Sequence, residues 1–104
     1  MQQPNLSEMM QQVQKLQKEM KKAQDELASD MLAASAGGGS LSCTISGEME
    51  LKSIKIDPKV VNPEEVELLE DLVLACVNEA IRKAKDHAAS KLGGITGGLN
   101  LPGF

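Results

Sequence analysis

The stretch NLSEMMQQVQKLQKEMKKAQDELASDMLA, residues 5–33, decides the fold. Leu6, Met9, Val13, Leu16, Met20, Ala23 and Leu27 recur at helical spacing, the pattern of an amphipathic helix with one continuous apolar seam. Towards the other end of the chain Val66, Leu69, Val73, Cys76, Ala80 and Ala84 keep the same spacing. At ~1.5 Å per residue the first helix would run about 43 Å. A sheet of ordinary strands spans only about 17 to 20 Å. Helices of this length overhang any sheet built from the middle of the chain. An overhanging apolar seam needs another helix to cover it, from its own chain or from a second subunit. The expected architecture is therefore α+β: a long N-terminal helix, a small antiparallel sheet of two or three strands and a long C-terminal helix, forming a homodimer with projecting helical arms. Leu6, Met9, Val13, Leu16 and Met20 are the expected dimer interface.

Asn5 is placed to cap the first helix, with Glu8 completing a capping box. Fraying is expected near Leu32–Ala36, and Gly37-Gly38-Gly39 then forces a turn. Leu41, Cys43 and Ile45 alternate with Ser42, Thr44 and Ser46, which predicts a strand with one buried face. Gly47-Glu48 reads as a turn, and Met49–Ile56 as a second strand with Ile54 and Ile56 inward, ended by Asp57-Pro58. A weaker strand at about 31–36 would be the third. Asn62, Pro63 and Glu65 predict the start of the second helix, and Gly93-Gly94 its stop after Lys91. Residues 93–104, rich in glycine, are expected to form a flexible tail on a single domain spanning 1–104.

Composition narrows the chemistry. The chain has one Phe and no Tyr or Trp, so it lacks the aromatic platforms that grip single strands and the rings that line apolar substrate pockets. Cys43 and Cys76 form no metal-ligand or C-x-x-C spacing, and both fall on apolar faces, where buried thiols act as small hydrophobes. His87 is the single histidine and has no nucleophile or ligand companions at a recognisable spacing. Gly37–Gly39 lacks the Lys-Ser or Lys-Thr of a phosphate loop. Neither a signal pattern nor an apolar run of membrane-spanning length is present. The expectation is a cytoplasmic protein with no catalysis, no cofactor, no metal, no membrane contact and no small-molecule substrate.

Net charge is −4, but the charges are segregated. Residues 11–24 carry Lys15, Lys18, Lys21 and Lys22 against Glu19 alone; residues 82–91 carry Arg82, Lys83, Lys85 and Lys91 against Asp86; residues 64–71 hold five acids and no base. Gln11, Lys15, Lys18 and Lys22 form a row opposite the apolar seam. This row is the best candidate for phosphate contacts. Its alternative is a solvated face tied down by Lys21–Asp25 and Lys22–Glu26 pairs.

In order and spacing, the whole chain resembles the bacterial YbaB/EbfC nucleoid-associated family. The resemblance rests on the Met/Gln/Lys-rich helix from Met9 to Lys22, the glycine break before Leu-x-x-Thr-Ile-x-Gly at 41–47, and Ile-Asp-Pro at 56–58. It extends through Glu-x-Leu-Glu-Asp-Leu-Val at 67–73, Asn78-Glu79-Ala80, and Gly-Gly-Leu-x-Leu-Pro-Gly-Phe at 97–104. It implies a tweezer-shaped homodimer of α-β-β-β-α subunits that binds double-stranded DNA in the nucleoid with low sequence specificity. The implied DNA contacts are Lys15, Lys18, Lys21 and Lys22 and, from the second helix, Arg82, Lys83, Lys85 and Lys91. The Met-Leu-Ala-Ala-Ser-Ala strand lacks β-branched residues, and Glu48 and Glu50 put acid on the second strand. A different class of function also fits: a small acidic dimeric chaperone or adaptor that takes a partner helix in a Met-rich groove.

Overall fold

The computed structural model describes residues 5–97, which run α1 (Leu6–Ser29), β1 (Met31–Ala36), β2 (Leu41–Ser46), β3 (Leu51–Ile56) and α2 (Val66–Gly97). The three strands form one antiparallel sheet in the order β1-β2-β3. The architecture is the expected α-β-β-β-α.

The radius of gyration is 20.5 Å, with extents of 76 × 24 × 16 Å. A compact chain of this length would have a radius of about 13 Å. The difference is the projecting helix.

The Asn5 side chain caps α1 by accepting from the Ser7 N–H at 3.0 Å, without the reciprocal contact from Glu8. β1 forms in spite of its weak β propensity. It pairs with β2 along its whole length, Met31 opposite Ser46 through Ala36 opposite Leu41, and turns Leu32, Ala34 and Ala36 under α2. Small residues suit this position. Ala34 on the strand and Ala80 and Ala84 on the helix are all buried, so α2 approaches the sheet closely at that end. Leu41, Cys43 and Ile45 complete the core from β2, with Cys76 above them and Leu69, Leu72, Val73 and Ile81 packed around the edge.

Three local expectations need correction. α2 begins at Val66; Asn62 and Pro63 belong to a preceding turn in which the Asn62 side chain accepts from Glu64 N–H at 3.0 Å. At the other end α2 passes through Gly93-Gly94 to Gly97. Two glycines cost a helix about 1 kcal/mol each. Against that, Lys91 and Ile95 of this last stretch lie beside Glu19, Lys22, Ala23 and Glu26 of α1, so tertiary packing overrides propensity. The rest of the expected tail, 98–104, lies outside the described residues. Ile54 and Ile56 pair with Cys43 and Leu41 and so share their face of the sheet, yet they remain 41% and 38% exposed. The reason is placement: α2 covers β1 and β2 and leaves β3 bare.

Candidate nucleic-acid interface

Twenty-four residues of α1 reach about 36 Å, and only the part near the sheet is packed. Ala23 and Leu27 are buried, Leu16 and Met20 are half-buried, and Leu6, Met9 and Val13 are exposed. Helical geometry puts Lys15, Lys18 and Lys22 on the side away from that seam, with Lys21 beside them. All four are exposed, and none forms an ion pair among the described residues: the Lys21–Asp25 contact is not made, and Glu26 turns from Lys22 to Lys91 of α2. Lys18, Lys21, Lys22, Asp25, Glu26 and Ser29 line one shallow recess along this face, three cations against two acids. Such a ridge of solvated ammonium groups suits a polyanion.

The second cluster is organised differently. Arg82 is gripped by Glu79 and by Asp86, the latter at 3.4 Å. These contacts hold the Glu79 carboxyl below its ordinary range, chiefly through the hydrogen bond from Arg82, and raise the guanidinium through the same bond. Lys83 donates to the carbonyl of Ala33 on β1 at 2.9 Å. Lys91 is half-buried between Asp30 and Glu26, at 2.8 and 2.9 Å. Its ammonium is stabilised first by the hydrogen bond to Asp30 and then by that to Glu26, which raises its pKa. Lys85 is exposed without such a partner. Of these four cations, only Lys85 has no partner among the described residues.

Sequence reasoning missed Asp30. It follows the last turn of α1, where its charge opposes the negative end of the helix dipole and where α1 carries no basic residue of its own. The compensation comes from α2: His87 Nε2 and Lys91 Nζ both reach Asp30 Oδ2 at 2.8 Å. The His87 hydrogen bond, followed by that of Lys91, holds the Asp30 carboxyl below the ordinary carboxylate range. An acid placed against a helix C-terminus was the available signal, although the identity of its partners was not.

Cys43 and Cys76 face each other in the core with their sulfurs 3.3 Å apart. Each lies 3.7 Å from a backbone carbonyl, that of Cys76 for Cys43 and that of Ala34 for Cys76. Burial, joined by the Cys43 hydrogen bond, pushes the Cys76 thiol up to about 11, which suits a core residue and not a nucleophile. Among the described residues no group of His, Cys, Asp and Glu could hold a metal ion, and no helix is long and apolar enough to cross a membrane.

A small three-stranded sheet, a long projecting helix and an unpaired lysine ridge on that helix define a slender protein built around a cationic arm. Comparison with known proteins places it further. The chain belongs to the YbaB/EbfC DNA-binding family, whose profile matches residues 1–99. It is 50% identical over 101 residues to a nucleoid-associated protein of Alkaliphilus metalliredigens, covering 97% of this chain and 89% of that one. A nucleoid-associated protein of Thermoanaerobacter pseudethanolicus is also 50% identical, over 96% of this chain and 90% of the relative. The fold is similar to the crystal structure of an uncharacterized protein from Helicobacter pylori, with a TM-score of 0.74 at 17% identity, covering 85% of this chain and 92% of that one.

Proposed function

We propose that this chain is a nucleoid protein that binds double-stranded DNA as a homodimer, non-catalytically and with little sequence preference, through the lysines of α1. The observation that carries this reading is the difference between the two cationic clusters. Among the described residues Lys15, Lys18, Lys21 and Lys22 stand exposed and unpaired on a projecting helix, whereas Arg82 and Lys83 at the surface and the half-buried Lys91 already contact an acid or a carbonyl of the chain. Family membership and the names of the relatives point the same way. Lysine meets a phosphate as a flexible point charge and fixes little base geometry, and the chain has a single Arg for planar, bidentate base contacts. Binding through such a ridge is electrostatic, driven by counterion release.

What supports the dimer is apolar surface that one chain leaves bare. Leu51, Ile54 and Ile56 of β3 are exposed, as is Leu74, which lines an apolar groove on α2 with Leu69, Val73 and Val77. Leu6, Met9 and Val13 are a separate bare stretch on α1. A second copy would cover β3 and this groove as the dimer core, with the α1 seam contributing along the arms. Two arms then present eight lysines in all, for a log–log salt slope of up to roughly −7.

The test is fluorescence anisotropy of a labelled duplex of about 30 base pairs, titrated with the purified protein at several salt concentrations, beside sedimentation to establish the dimer. Saturable binding that weakens steeply with salt supports the reading. Absence of binding at low salt sinks it and moves the adaptor reading forward, with the groove that Met9 and Met10 line on α1 beside Leu6 and Val13 as its surface.

A further inference from the structure

Three residues of α2 at successive steps of four form one ridge: Lys83 reaches the Ala33 carbonyl in the middle of β1, and His87 and Lys91 reach the corner where α1 gives way to β1. Asp30 sits at that corner. Its carboxylate receives His87 and Lys91, each at 2.8 Å, its backbone N–H closes the last turn of α1 on the Glu26 carbonyl at 2.8 Å, and its own carbonyl accepts the Gly47 N–H at 3.0 Å. One residue thus joins α1, α2 and the β2–β3 turn. Lys91 extends the same grip one turn back along α1, to Glu26 at 2.9 Å.

The corner has mechanical consequences. Among the described residues no side chain of α1 before Ala23 is fully buried, and α2 reaches the arm through Lys91 and Ile95 beside Glu19, Lys22, Ala23 and Glu26. Its direction is therefore set over the last turns before the sheet, where Lys91 and Asp30 meet. Lys15 lies fifteen residues from Asp30, or about 22 Å along the helix. A swing of ~10° at the corner therefore displaces Lys15 by about 4 Å, comparable with the ~3.4 Å between successive phosphates of one strand along the duplex axis. A small loss of angular definition is enough to take the lysine row out of step with a backbone.

The same contacts add little to folding. Asp30, His87 and Lys91 side chains are 33%, 36% and 24% exposed, and ion pairs in contact with water are weak. We propose that Asp30 is a positioning residue for nucleic-acid binding: held by His87 and Lys91, it fixes the angle at which α1 leaves the sheet and so keeps the Lys15–Lys22 row in register with the phosphates. Lys91 then serves as a latch instead of a phosphate contact. This inference rests on the DNA-binding reading above.

The variant Asp30→Ala tests it in the full chain. Its urea midpoint and dimerisation should stay close to wild type, while duplex affinity falls about tenfold at moderate salt and the log–log salt slope becomes shallower by about 1. A residue that mattered only to folding would lower the bound fraction through the unfolded population and leave the slope untouched. Exchanging the charges, Asp30→Lys with Lys91→Asp, should recover most of the affinity, and this also guards against an Asp30→Ala chain that folds poorly. Spin labels on Gln12→Cys and Asn78→Cys, diluted into unlabelled protein, read the arm directly without DNA. A narrow distance distribution in wild type should broaden in Asp30→Ala. Wild-type affinity and slope in Asp30→Ala, or an unchanged distance distribution, overturns the proposal. A wild type with a well-defined arm that does not bind the duplex overturns the DNA reading and this proposal with it.

Discussion

Gly47 lies so close to Leu27 that a Cβ built on the glycine would stand 2.6 Å from the Leu27 carbonyl oxygen and 2.8 Å from one of the Leu27 methyl carbons. The β2–β3 turn is thereby pressed against the last turns of α1, and the Gly47 N–H is free to bond the Asp30 carbonyl. Backbone cannot yield as a flexible side chain would. Gly47→Ala should therefore cost about 2 kcal/mol, in the range of overpacked cores, read as a lower urea midpoint with an unchanged m-value. A midpoint equal to wild type would show that α1 is free to lift off the turn.

Proton linkage gives a second expectation. The folded-state pKa of Asp30 is depressed by His87 and then by Lys91, so its contribution to stability is complete above the ordinary carboxylate value near pH 4 and is lost as pH falls through the folded value. Glu79, depressed by Arg82, acts in the same sense. The elevated Lys91 pKa works at the other end: its stabilisation is complete below the ordinary lysine value and is lost as pH rises through the folded value. Because these groups keep contact with water, the thermal midpoint should hold a plateau through neutrality with only a shallow fall on either side. Asp30→Asn should flatten the acid limb in part, leaving the share that belongs to Glu79. An acid limb that superimposes on wild type would show that the Asp30 contacts do not persist in solution.

The two thiols offer a third. With Cys76 raised to about 11 by burial and by Cys43, only about one Cys76 side chain in a thousand is thiolate at pH 8, and both cysteines are closed off from solvent. Reaction with an aromatic disulfide reagent should proceed only as fast as the core opens. Its rate should rise with urea in parallel with the loss of helical circular dichroism. Fast, stoichiometric labelling of the native protein would contradict the packing of β2 against α2.

Much of this was legible in the residues, and the parts that were not share a physical cause. The α1 seam shows in its spacing because every contact it makes lies on one face, and Leu41, Cys43 and Ile45 show by alternation because β2 has a covered side. Met31–Ala36 reads poorly because it is a strand made by its neighbours: pairing with β2 and cover from α2 outweigh alanine's preference for helix. Asn62-Pro63 and Gly93-Gly94 are local signals that lost to their surroundings, the first by serving a turn and the second by lying in a helix that α1 supports. The lysine ridge of α1 was legible as a row, but its freedom from ion pairs was not. That freedom depends on Glu26 turning to Lys91, just as Asp30 depends on partners 57 and 61 positions away in the chain.

The contrast between the two cationic clusters yields the sharpest test of the functional reading. Lys15→Glu with Lys18→Glu and Lys22→Glu changes three exposed residues off the apolar seam, so folding and dimerisation should be unaffected. Duplex affinity should fall by more than about a hundredfold, and whatever binding is left should have lost most of its salt slope, because six phosphate contacts per dimer have been replaced by repulsion. Arg82→Ala and Lys83→Ala remove groups already engaged with Glu79, Asp86 and the Ala33 carbonyl. Together they should change affinity by less than about threefold, with the slope nearly intact. If the order is reversed, with the α2 pair mattering and the α1 row silent, the arm is not the DNA-binding element, and the exposed Lys85 becomes the place to look.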